Sequence, residues 1–252
     1  MESKNTVFDE TGQLFDEIWR GFRHEDYQRH QVEGLKRSPI PIPLEWYKDK
    51  VCLDGGCGGG RYLRYMASAG AREVHGIDAG NTKFARETTK DYGDRVVIKN
   101  ASVLDIPYED ETFDFVHCAG VLHHTANPRK GFSELVRVLK KDGVVIISVY
   151  GRQDIFRRII LALAHFLSHI LPLSFAFKIL KLIYSDPEKI YNIAETIYVP
   201  VRTTHRQQEI IDWFEEEGLS EIKRLKTAWE PYSYLGGLIK GEGFLKFMAE
   251  KA

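Results

Sequence analysis

Between residues 51 and 150 the chain repeats one pattern, a short apolar run followed by a stretch with helical spacing. The runs VCLD, EVHGID, RVVIKN, FDFVHCAGV and GVVIISVY alternate with patterns such as RYLRYMASAG and GFSELVRVLKKDG. Strands separated by helices join through crossovers, so they lie parallel, and a parallel sheet needs a helical layer on each face. Right-handed crossovers then make the sheet doubly wound, an α/β fold of the Rossmann-like kind. Gly70 follows the first helical pattern, and Lys140, Lys141 and Gly143 stand where a helix C-terminus attracts cations and a glycine. With 43% hydrophobic and 28% charged residues in 252, the chain can bury a sizeable core without staples.

Three segments flank or interrupt this pattern. Residues 1–48 carry helix-like pieces with aromatics at Phe8, Phe15, Trp19, Phe22 and Tyr27 and end in the breaker SPIPIP, which predicts an N-terminal helical flap before an α/β core over 49–151. Residues 152–203 break the alternation and are expected to form a helical insertion. Residues 204–252 resume it, with Thr204 as N-cap and Gly218 as stop of a helix, and strands that complete the core.

Within the insertion, 155–184 holds 21 apolar residues in 30, and 159–177 has no formal charge. By length that stretch could cross a bilayer, but Pro172 sits in its middle. Arg158, His165 and His169 fall on one helical stripe, and Ser174, Lys178, Lys181 and Ser185 on another, which predicts two amphipathic helices. Over 152–183 five cations face one acid, Asp154, so the local charge is 5 − 1 = +4. The hairpin is open to three readings: a greasy lid over a substrate, a homodimer interface, or peripheral contact with a membrane.

Lys+Arg 35 against Asp+Glu 36 gives 35 − 36 = −1, a balance that provides no field for gathering nucleic acid. Cys52, Cys57 and Cys118 lack metal-ligand spacing and read as packing residues, and the opening MESKNTVFDE lacks the build of a signal peptide. A cytoplasmic setting without a metal is the expectation.

The chemistry concentrates in residues 51–60, VCLDGGCGGG, a strand that ends in an acid and turns through glycines into a helix. Glycine reaches positive φ freely, and its missing Cβ lets backbone N–H groups close on a ligand at the helix start. A second acid, Asp78, ends the next strand, where a carboxylate can accept from two ribose hydroxyls. The dinucleotide spacing G-x-G-x-x-G fails, since the third position is Arg61 or Leu63, and no Gly-Lys-Ser/Thr follows for a P-loop.

The pattern Asp54-x-Gly56-x-Gly58-x-Gly60 resembles motif I of the class I S-adenosylmethionine-dependent methyltransferases. Residues 100–107 (NASVLDIP), 112–124 (TFDFVHCAGVLHH) and 128–150 resemble the later segments of that family in order, with 204–228 resembling its end. The resemblance implies a seven-stranded methyltransferase sheet that binds S-adenosylmethionine and releases S-adenosylhomocysteine. It implies Asp54, Gly56, Gly58 and Gly60 at the methionine and ribose, Asp78 at the ribose hydroxyls, Ser102 and Val103 beside the adenine, and Ala119 beside the methionine backbone. Many members carry Asp where Ser102 stands, although a serine still accepts a hydrogen bond.

His123 and His124 follow the fourth strand, where ligands gather at the carboxyl ends of a parallel sheet, and either could take a proton from an acceptor. A pocket-forming role is the alternative for each. Tyr150 ends the fifth strand and is expected to touch substrate. The expected acceptor is a small molecule with a hydrophobic part, such as a natural product, quinone or lipid-like metabolite. A subunit that binds the cofactor without transferring a methyl group is the competing reading.

Overall fold

The computed structural model describes residues 39–168, 170–185, 187–199, 202–227, 232–234 and 239–252. Most of the expected flap over 1–48 lies outside them, as does His169; of the flap, 39–48 are described, with a 3₁₀ turn at Leu44–Tyr47 that buries Tyr47. The strands are β1 (Val51–Gly55), β2 (Glu73–Asp78), β3 (Val96–Asn100), β4 (Phe113–Ala119), β5 (Leu139–Tyr150), β6 (Leu219–Arg224), β7 (Tyr232–Tyr234), β8 (Ile239–Gly241) and β9 (Phe244–Lys251). Seven of them form one sheet in the order β3-β2-β1-β4-β5-β9-β6, while β7 and β8 pair separately. The pairs from β3 to β5 are parallel, and β9 enters antiparallel between β5 and β6. Strand order reverses between β1 and β4, so a crevice opens outside their carboxyl ends, the place where ligands bind in sheets of this kind.

Helices cover both faces. On one, α1 (Arg61–Ser68) and α2 (Lys83–Thr89) pack with Tyr47 and the Cys52, Val74 and Phe115 side chains. On the other, α3 (Pro128–Arg137) and α7 (Gln207–Glu216) contribute Phe132, Leu135, Trp213 and Phe214 to a core that includes Leu53, Val116 and Val145. Alternate strand residues serve opposite faces, which is why the central run Val144–Val149 of β5 is buried at every position.

Two expected helix ends move. Helix α3 stops at Arg137, and Lys140, Lys141 and Gly143 belong to β5. The cation over its last carbonyls is Lys251 from β9, whose Nζ donates to Val136 O (3.0 Å) and Leu139 O (2.7 Å), while Lys140 pairs with Asp114 instead. Helix α7 starts at Gln207 with Arg206 as N-cap rather than Thr204. His205 is bridged to Gly151, its N–H donating to Tyr150 O and its carbonyl accepting from Arg152 N, so the helix begins only beyond it. Gly218, at φ +72°, ends α7 as expected.

The segment between β5 and α7 holds three helices, α4 (Ile155–Ser168), α5 (Leu173–Ile183) and α6 (Pro187–Tyr198). Pro172 separates the first two, and among the described residues no helix is long and apolar enough to cross a membrane. His165 Nδ1 meets Ile197 O at 2.8 Å, and Tyr198 donates to Leu171 O at 2.8 Å, so α6 holds the α4–α5 hairpin from behind.

Candidate active site

The turn from β1 into α1 is shaped by glycines. Gly56, Gly58 and Gly60 take φ of +77°, +48° and +84°. A Cβ on Gly56 would lie 2.2 Å from a Val121 methyl carbon, so that position excludes any side chain on space as well as on conformation. The N–H groups of Gly56 and Cys57 donate to Ile77 O, which ties the turn to the end of β2.

Asp78, the last residue of β2, sits across from this turn. Its Oδ2 accepts from Gly58 N and its Oδ1 from Gly80 N, both at 2.8 Å, so the carboxylate is aimed at the glycine loop. Each carboxylate oxygen has further acceptor capacity for a hydroxyl donor.

Asp54 is buried and accepts from His117 Nδ1 at 2.8 Å. His117 is fully buried on β4 against the Tyr62 ring, and burial, working against the Asp54 contact, holds its pKa below the usual histidine value. A neutral ring donating from Nδ1 carries a bare Nε2, and that atom has no partner. Sequence reasoning missed His117. Its signal was a histidine in the middle of the apolar run FDFVHCAGV.

In the loop after β3, Ser102 is half-buried with its Oγ accepting from Leu104 N at 3.1 Å, and Val103 is buried. This loop is clamped by α3. Glu134 accepts from Ile106 N, while Arg137 donates to Ile106 O and Tyr108 O and pairs with Glu134 and Asp110.

Beyond Ala119, at the end of β4, the chain turns at Gly120, which has φ +78° and open space where a Cβ would be. A 3₁₀ turn then carries Leu122, His123 and His124. His123 is fully buried, with its ring 4.0 Å from Tyr150 and 4.1 Å from His124, and with Phe244 at 6.1 Å. Tyr150 N donates to His123 Nδ1 at 3.3 Å, which puts the ring proton of a neutral His123 on Nε2. Burial, with His124, Arg202 and His205 adding to it, pushes its pKa well below the usual value. His123 is thus a hydrogen-bond donor at Nε2 and not a proton acceptor there, and no acceptor meets that atom. Arg202 lies over the Tyr150 ring at 4.7 Å, and Thr203 N donates to His123 O at 2.8 Å. These contacts come from the far end of the insertion, 50 or more residues from β5, and nothing local in the sequence announces them.

The three cysteines are buried free thiols. Burial raises all three, Cys52 to about 12, so none is a ready thiolate. The glycine turn, the Asp78 carboxylate and the open side of Gly120 together fit a ligand with a ribose and an amino-acid end. Such a ligand is S-adenosylmethionine.

Comparison with known proteins agrees with this fit. Residues 53–147 match the family described as Methyltransferase domain. A demethylmenaquinone methyltransferase of Clavibacter sepedonicus is 33% identical over 157 residues, covering 58% of this chain and 55% of that protein. A tRNA U34 carboxymethyltransferase of Campylobacter fetus subsp. fetus (strain 82-40) is 30% identical over 136 residues, covering 53% of this chain and 44% of the relative. The match thus spans about half the length of these relatives. The 1,6-didemethyltoxoflavin-N1-methyltransferase of Burkholderia thailandensis, solved with 1,6-didemethyltoxoflavin and S-adenosylhomocysteine, superposes with a TM-score of 0.56 at 14% identity over 98% of this chain and 86% of its own. Residues 53–147 thus match a methyltransferase domain, and the chain shares its fold with solved S-adenosylmethionine-dependent methyltransferases.

Proposed function

We propose that the chain transfers the methyl group of S-adenosylmethionine to a small-molecule acceptor with a hydrophobic part. The observation that carries this reading is the aromatic wall of His123, Tyr150 and Phe244 directly after the Gly120 turn, at the carboxyl ends of β4 and β5. Such a wall excludes water and takes a flat or greasy acceptor. Relatives named for demethylmenaquinone and for 27-O-demethylrifamycin SV support an acceptor of this class. The three buried thiols support a reducing, cytoplasmic setting.

Bound S-adenosylmethionine supplies an electrophilic methyl carbon on a sulfonium, which an aligned nucleophile displaces directly. Alignment alone is worth about 7–11 kcal/mol of barrier, so the residues here chiefly orient and exclude water. Asp78 holds the ribose hydroxyls, and the N–H groups of the turn through Gly56, Gly58 and Gly60 approach the amino-acid end. Asp54, fixed by His117, sets the carboxyl end of β1. Ser102 and Val103 border the adenine, and Ala119 the methionine backbone. Of the two histidines expected as proton acceptors, His123 becomes in this reading a wall residue, fully buried with its ring proton on Nε2. His124 remains the candidate for taking a proton, and Tyr150 forms the acceptor's side wall.

The test is calorimetric titration with S-adenosylmethionine, S-adenosylhomocysteine and NAD, beside Asp78→Ala. Binding of the two sulfur nucleosides but not NAD is expected, at least about tenfold weaker in the variant because two hydroxyl contacts are lost. Transfer of labelled methyl is then assayed on demethylated quinones and on tRNA. Transfer to tRNA would overturn the small-molecule reading, and tight binding with no transfer to any acceptor would favour a regulatory subunit.

A further inference from the structure

The α4–α5 hairpin is amphipathic in the wrong sense for a helix pair packed on its own domain. On α4 the face toward α6 carries His165, hydrogen-bonded to Ile197 O, and half-buried Ser168, while Phe156, Ile160, Leu163 and Phe166 point outward. The tip adds Ile170, and α5 presents Leu182 at 87% exposure. Thirteen of the fifteen large apolar side chains exposed among the described residues lie between 155 and 183. A surface that concentrated has an apolar counterpart.

Charge selects the counterpart. From 155 to 185 the sequence has Arg157, Arg158, Lys178 and Lys181 and no acid. Arg158, Lys178 and Lys181 are exposed on the same two helices as the apolar face. A second copy would set this cationic face against itself. An anionic bilayer instead accepts apolar side chains at the acyl boundary and pairs the cations with headgroups, with lysine stems reaching back to the interface. We infer that the α4–α5 hairpin docks the chain on anionic membrane surfaces, lying in the interface without crossing the bilayer.

The hairpin's stem reaches the candidate active site. The chain leaves β5 at Tyr150 and returns at Thr203 and His205, which bond to His123 O and Tyr150 O. A docked hairpin would therefore hold the His123–Tyr150 wall near the bilayer. That consequence rests on the acceptor proposed above, whereas the docking does not.

The full chain is floated with vesicles of phosphatidylcholine alone and of phosphatidylcholine mixed with phosphatidylglycerol. Flotation with the mixed vesicles only, reversed by raised salt, is expected. Leu163→Asp with Phe166→Asp should abolish it, and Arg158→Ala with Lys178→Ala should weaken it roughly 30-fold. Each variant is checked for unchanged S-adenosylmethionine affinity, so that loss of flotation is not loss of fold. Wild-type chain left unbound by both vesicles would overturn the inference, as would flotation that survives both double substitutions. So would a dimer in solution that Leu163→Asp with Phe166→Asp splits while vesicles bind neither form.

Discussion

At the scale of single residues, the site depends most sharply on Gly56. Gly56→Ala combines a +77° φ with a Cβ 2.2 Å from Val121, so the loop must shift. We expect a loss of about 1–3 kcal/mol of stability and of measurable cofactor binding, read by thermal melting and calorimetry. Glycines and a strand-end acid are legible in sequence because their conformational demand is local. Partners are not: His117 meets Asp54 across 63 positions through the register of β1 and β4, and Arg202 reaches Tyr150 across 52 from the end of the insertion. The tautomer of His123 is likewise set by a backbone N–H on a neighbouring strand. An NMR titration of its ring should place its midpoint well below the value near 6.5 at which an ordinary histidine titrates. A midpoint near 6.5 would restore it as a base.

At the scale of elements, the alternating pattern revealed β1 to β5 and their helices because the central strands β1 and β4 are buried on both faces and each helix is apolar on one. The antiparallel insertion of β9 between β5 and β6 was not legible, since register is a property of a pair and not of a run. Nor was the outward turn of the α4–α5 hairpin, because periodicity identifies an apolar face without saying what it meets. The element contact most open to test is the clamp of α3 on the loop of Ser102 and Val103, proposed to border the adenine. Arg137 donates to Ile106 O and Tyr108 O and orients Glu134, which accepts from Ile106 N and is held below the usual carboxylate range chiefly by that guanidinium. Arg137→Ala should cost about 1–2 kcal/mol, discounted for the partial exposure of the pair. It should also weaken S-adenosylmethionine more than an equally destabilising change on α7. Equal weakening by both would mean that the loop holds its shape without α3.

At the scale of the whole molecule, one face of the sheet buries a row of titratable groups whose summed effect is a pH profile of stability. Asp54 on β1, His117 on β4 and Lys246 on β9 all point to the face covered by α1, and His123 lies buried at the sheet's carboxyl edge. His117 and His123 are held neutral by burial, so their folded pKa values lie below 6.5. As pH falls below 6.5 the unfolded chain binds protons that the folded chain refuses, and stability falls by about 1.4 kcal/mol per pH unit for each ring. Lys246, whose Nζ donates to Pro39 O, is lowered by burial to about 8 from 10.5. Between those two values the folded chain has shed a proton that the unfolded chain keeps, so Lys246 taken alone adds stability as pH rises. Urea midpoints at constant temperature should therefore climb up to pH 6.5, level off, and fall above about pH 9, where the three buried thiols keep protons that the unfolded chain sheds and together outweigh Lys246. In His117→Asn the acid slope should drop by about one ring's share, with the alkaline limb unchanged. A flat profile below pH 6.5 in the parent chain would mean that both rings accept protons inside the fold, and that the Asp54–His117 contact is an ion pair rather than a neutral hydrogen bond.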